Sequence, residues 1–120
     1  MKIPDINSII DEILSSYDRN KIGMIASHIG IVRGYSKNGK KVKALNIWFD
    51  KKRLEEIIEK IRSKNSIVDV KIRLNEGRLN VGDWIMIVMI AGEVREKVFP
   101  ALIEMVDMIK KEASRKEEIY

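Results

Sequence analysis

The sequence predicts an α+β fold, a mainly antiparallel sheet packed with helices. Three observations carry the prediction. Apolar residues recur at helical spacing near the start, middle and end of the chain. Between those segments lie short β-branched runs, one alternating with charge and one apolar on both faces. The resulting order of helix, strands, helix, strands, helix groups the strands instead of following each with a helix. At 120 residues the chain has the length of one ordinary domain, taken as residues 1–120.

Pro4-Asp5 opens a first helix in which Ile6, Ile9, Ile10, Ile13, Leu14 and Tyr17 form the apolar stripe, and Asp18-Arg19-Asn20 closes it. Ile22 to Val32 carries too many β-branched residues and glycines for a helix and reads as a strand running into the loop Gly34–Lys41. A second strand covers Val42–Phe49. Asp50 is the expected N-cap of a helix to Lys64, with Leu54, Ile57, Ile58 and Ile61 inward. Val68, Val70, Ile72 and Leu74 then alternate with Asp69, Lys71 and Arg73, the pattern of a half-buried strand. After turns at Asn75-Glu76-Gly77 and Asn80-Val81-Gly82-Asp83, the run Trp84–Ala91 is apolar on both faces and belongs at the sheet centre. The last helix is expected from Val94 to about Lys116, with Val98, Leu102, Met105, Val106 and Ile109 on one face and a bend or restart where Pro100 interrupts it.

Composition excludes much chemistry. There is no cysteine and a single histidine, so thiolate sites, thiol nucleophiles and histidine metal cages are absent, and no cofactor is expected. No stretch approaches the length of a membrane span and the N-terminal residues lack a secretion-signal core, so the cytoplasm is the expected compartment. The net charge of +5 is unevenly spread: residues 21–45 hold six bases and no acid. A phosphate-bearing small molecule, a nucleic acid or an acidic partner would each suit such a patch.

Arg33 stands at the end of an apolar strand, where bidentate recognition of phosphate or carboxylate would justify a guanidinium; a rim ion pair is the alternative. Gly34 and Gly39 with Lys37, Lys40, Lys41 and Lys43 could form a lid over an anion, or simply a hairpin loop. Lys110 and Lys116 lie in the last helical pattern, where lysine also complements the helix dipole. Arg95 begins that helix. His28, mid-strand among apolar residues, reads as a core or interface residue and stays outside the candidate set. Trp48, Phe49 and Trp84 read mostly as core.

Four pieces in this order resemble the large, catalytic subunit of molybdopterin synthase: Gly30-Ile31-Val32-Arg33, Val42-Lys43-Ala44-Leu45, the turn Gly77 to Asp83, and the helix start with Arg95 and Phe99. The Arg95-to-Lys110 spacing fits as well. The resemblance implies an α/β-hammerhead-like fold and a homodimer within a heterotetramer. One small ubiquitin-like subunit would dock on each end and thread its C-terminal Gly-Gly thiocarboxylate into the pocket. Sulfur would pass to cyclic pyranopterin monophosphate in molybdenum or tungsten cofactor synthesis. By resemblance, Arg33 and Arg95 hold the anionic substrate or partner tail and Lys110 acts in the transfer, while the second lysine is either Lys116 after a one-residue slip or absent, with Glu117 in its place; Lys40 and Lys41 of the basic loop are the further substrate-binding candidates. The sequence departs from the family pattern at Leu74-Asn75-Glu76-Gly77, at Val94 and at Ser114-Arg115-Lys116-Glu117, where family histidines and a tryptophan-lysine pair stand, and in a shortened segment after Phe49. A catalytically impaired, partner-binding paralogue is the second reading. A basic nucleic-acid-binding domain is the third, although the interleaved exposed aromatics it would need are lacking.

Overall fold

The computed structural model describes residues 2–16 and 18–120, so Tyr17 of the first apolar stripe lies outside the described residues. The elements are α1 (Ile6–Leu14), β1 (Met24–Ile31), β2 (Ala44–Phe49), α2 (Lys51–Arg62), β3 (Ile67–Leu74), β4 (Gly77–Asn80), β5 (Trp84–Gly92), α3 (Arg95–Met108) and β6 (Ser114–Ile119). Two helix starts are fixed by carboxylates: Asp5 accepts from the Asn7 N–H at 3.0 Å and Asp50 from the Arg53 N–H at 3.1 Å.

The strands form two antiparallel three-stranded sheets, ordered β1-β5-β3 and β4-β2-β6. The doubly apolar β5 is central, as expected, because both its faces are covered. On one face Met86, Val88 and Ile90 pack with Ile57 and Ile61 of α2 and with Val98, Met105 and Val106 of α3. On the other, Trp84, Ile87, Met89 and Ala91 meet Ile9 and Ile13 of α1. Asp69, Lys71 and Arg73 of β3 are therefore half-buried instead of freely outward, and Arg73 bonds Glu12 of α1 at 2.5 Å.

The C-terminal segment corrects the sequence reading. The helix ends at Met108, a π-helical turn covers Ile109–Ala113, and the chain then becomes β6, pairing with β2 from Ala44↔Ile119 to Phe49↔Ser114. Lys116 thus lies on a strand. Nothing in Ser-Arg-Lys-Glu-Glu favours a strand by composition; the exposed edge of β2 supplies the hydrogen bonds. Pro100 does not restart α3 either, since its missing N–H removes one early bond while Val98, Ala101 and Met105 hold the helix on the core. The short β4, unforeseen between two turn signals, pairs Gly77–Asn80 with β2.

Candidate functional site

A cleft of about 610 Å³ opens where the end of β1 faces the second sheet and the π-turn. Its walls follow from strand periodicity. On β6, Ser114, Lys116 and Glu118 share one face, and their partners on β2 are Phe49, Ile47 and Leu45; all six line the cleft. Glu117 points the other way, accepting from Asn46 Nδ2 at 3.3 Å. The alternation therefore places Lys116, and not Glu117, in the cleft.

The π-turn delivers Lys110. Ile109 and Ala113 anchor the turn in the core, and the backbone between them carries the Lys110 side chain to the cleft. From the opposite side come Arg33, just past β1, and Lys37 from the following loop. Among the described residues no carboxylate pairs with Arg33, Lys37, Lys110 or Lys116, whereas Lys51, Arg53, Lys60 and Arg73 elsewhere all have acidic partners. Several unpaired cations around apolar walls make an anion-binding cleft, because a ligand's negative charge meets donors not already engaged.

Other candidates sit elsewhere. Lys40 and Lys41 do not line the cleft: Lys40 Nζ lies 4.0 Å from the centre of the Tyr120 ring, and Lys41 bridges to Tyr35. The loop is a closed turn, with Ser36 N–H donating to the Lys40 carbonyl and Gly39 at φ 85°. Arg95 is exposed, forms an ion pair with Glu96 at 3.4 Å and borders a separate shallow depression with Gly23, Met24 and Val94. A single chain thus brings together Arg33, Lys110 and Lys116 and leaves Arg95 apart.

Sequence reasoning passed over His28. On β1 it faces the same side as Ala26, opposite Val88, and lines the cleft near Lys110. Burial first, and the Lys110 ammonium second, hold its imidazole below the usual histidine range. The signal was the parity of Ala26 and His28 on β1, but without the position of the π-turn nothing said what that face would meet. Of the aromatics, Trp84 and Phe49 are buried, while Trp48 is exposed.

The family model described as MoaE protein matches residues 4–112. The chain belongs to the MoaE family. An uncharacterised protein of Methanocaldococcus jannaschii is 30% identical over 106 residues, which make up 85% of this chain and 88% of that relative. Among solved structures, molybdopterin synthase from Staphylococcus aureus superposes with a TM-score of 0.80 at 20% identity, covering 100% of this chain and 88% of that one. A complex of subunits 1 and 2 of the molybdopterin-converting factor from Helicobacter pylori gives a TM-score of 0.69 at 17% identity, covering 98% of this chain and 84% of that one. These likenesses establish the antiparallel α+β fold as that of the MoaE proteins, a family of molybdopterin biosynthesis. No helix among the described residues is long and apolar enough to cross a membrane, and none of their His, Asp or Glu side chains group to hold a metal ion.

Proposed function

We propose that this MoaE-family chain is the large subunit of a cytoplasmic molybdopterin synthase, moving sulfur from the C-terminal thiocarboxylate of a small partner subunit to a pterin phosphate. The observation that carries the reading is the cleft with Arg33, Lys110 and Lys116 unpaired around apolar walls. Its volume suits a drug-sized ligand. Arg33 would hold the phosphate by paired N–H donors. Lys110 and Lys116 would donate to the oxygen that gains charge when the thiocarboxylate carbon becomes tetrahedral. Overall the acyl C–S bond and a C–O bond of the pterin side chain break, a C–S bond forms at that pterin carbon, the displaced oxygen leaves as water, and a water molecule supplies the oxygen that leaves the partner's tail a carboxylate. Each product needs two such sulfur atoms. The Helicobacter pylori complex of two subunits supports a small partner. Because Arg95 lies outside the cleft of its own chain, any place for it there falls to a second protomer, in keeping with a homodimer.

The test is conversion of cyclic pyranopterin monophosphate by the chain with a thiocarboxylated small subunit. Lys110→Ala should lower turnover by at least about 100-fold, on the scale of losing an oxyanion donor, while the small subunit still binds. Wild type and variant equally inactive with binding intact would sink the enzyme reading and leave a partner-binding module.

A further inference from the structure

We infer that His28 is a proton-linked anion-binding residue of the cleft, its imidazole taking up a proton when a dianion such as a phosphate monoester settles among Arg33, Lys110 and Lys116. The resemblance assigns this position no role. The inference rests on the proposed anion-binding character of the cleft and not on sulfur transfer.

The geometry has two parts. First, His28 occupies the one position of β1 from which a side chain on the α3 face reaches the cleft beside Lys110; Ala26 before it is in the core and Gly30 after it has no side chain. Second, Gly30 leaves the imidazole open. A Cβ built there would lie 3.6 Å from His28 Nε2, so the ring nitrogen lies over Gly30, where no side chain shares the space. No hydrogen bond from another described side chain occupies the ring.

The charged and titratable groups that line the cleft with His28 are Arg33 beyond the same strand, Lys37 and the Tyr35 phenol from the loop, Lys110 from the π-turn, and Lys116 with Glu118 from β6, of which Lys110 acts on the ring; its partner across the sheet, Val88, is apolar. Glu118 is the single acid of this lining and accepts from the Tyr120 hydroxyl at 3.3 Å. In the empty cleft a proton on His28 is opposed by burial and by the Lys110 ammonium. A bound dianion reverses the local field and makes the imidazolium a further donor. Coupling is reciprocal, so protonation of His28 must strengthen anion binding by the factor by which the anion favours protonation. Histidine is the only side-chain type in this lining whose ordinary titration falls between pH 5 and 8.

Sulfate is the probe, since it does not titrate in that range. Calorimetric titration of the whole chain at fixed ionic strength should show wild-type affinity rising by about fivefold or more from pH 8.0 to pH 5.5, at the low end of typical coupling factors. His28→Gln should bind with a flat profile. In the wild type, sulfate should also move the His28 ring-proton titration to higher pH, a readout that needs no variant. Sulfate binding with the same profile in wild type and His28→Gln, or an unmoved ring titration, overturns the role of His28 while leaving the anion cleft standing. No sulfate binding at any pH, or binding that survives Arg33→Ala with Lys110→Ala, removes the anion cleft and this inference with it.

Discussion

Gly92, at the end of β5, is enclosed by groups that cannot retreat. A Cβ there would stand 2.5 Å from the Ser66 carbonyl oxygen and 2.6 Å from Val98 Cγ2, well inside the roughly 3.5 Å at which such atoms attract. The carbonyl is held by the Glu93 N–H at 3.0 Å, Ser66 already sits at φ 72°, and Val98 is fully buried. Gly92→Ala is therefore an overpacking substitution, costing about 1–3 kcal/mol and tending to the upper end because one obstacle is backbone. For a domain of this size that lowers Tm by about 4–15 °C. Gly30→Ala is the matched control. Its Cβ would meet the nearest atoms, His28 Nε2, Ile85 Cβ and Met86 Cγ, at 3.6, 3.7 and 3.8 Å, all ordinary contacts. Replacing a strand glycine by alanine also recovers about 0.5–1 kcal/mol of backbone entropy. Thermal unfolding followed by circular dichroism should show a large drop for Gly92→Ala and none for Gly30→Ala. Equal Tm values for the two variants would refute the packing argument.

Ile61→Ala empties a fully buried site between α2 and the first sheet and should cost about 2–5 kcal/mol, read as a lower denaturant midpoint with unchanged slope. Glu76 pairs with Lys51 and accepts from the Phe49 N–H at 3.0 Å, and these bonds, the Lys51 one first, hold its carboxyl below the usual value. A lowered folded-state value means that its contribution is present above the unfolded value of 4.5 and is lost as pH falls through the folded one. With the side chain 39% exposed, that contribution is at most about 1 kcal/mol. The stability gap between wild type and Glu76→Gln should thus shrink between pH 7 and pH 3, and a gap independent of pH would remove the carboxylate from the account.

Where the pattern was local, the sequence carried the fold. Asp50 announced α2 because an N-cap acts within three residues, and the doubly apolar run at 84–91 announced a central strand because burial on both faces leaves no other place for it. What failed was non-local. Residues 114–119 form a strand only because β2 offers an unpaired edge some seventy residues earlier in the chain. The apparent outward face of β3 is half-covered because α1 crosses it, a contact that alternation within β3 cannot reveal.

The same distinction decides the site. Arg33 was legible as a charge at the end of an apolar strand, and it does reach the cleft. The two lysines were legible only as residue types on an expected helix, where positions six apart lie far round the axis and two lysines would not share a cleft. The π-turn and the change to strand remove that obstacle: a turn anchored by Ile109 and Ala113 presents Lys110, and two-residue alternation from Ser114 presents Lys116 opposite Ile47. The corrected secondary structure is thus the reason these two ammonium groups line one cleft. It also separates Lys116 from Glu117, a choice that counting residues left open, because neighbours on a strand face opposite sides. Arg95 has no comparable device, since it starts α3 at the far end of the helix from the π-turn and borders a separate depression.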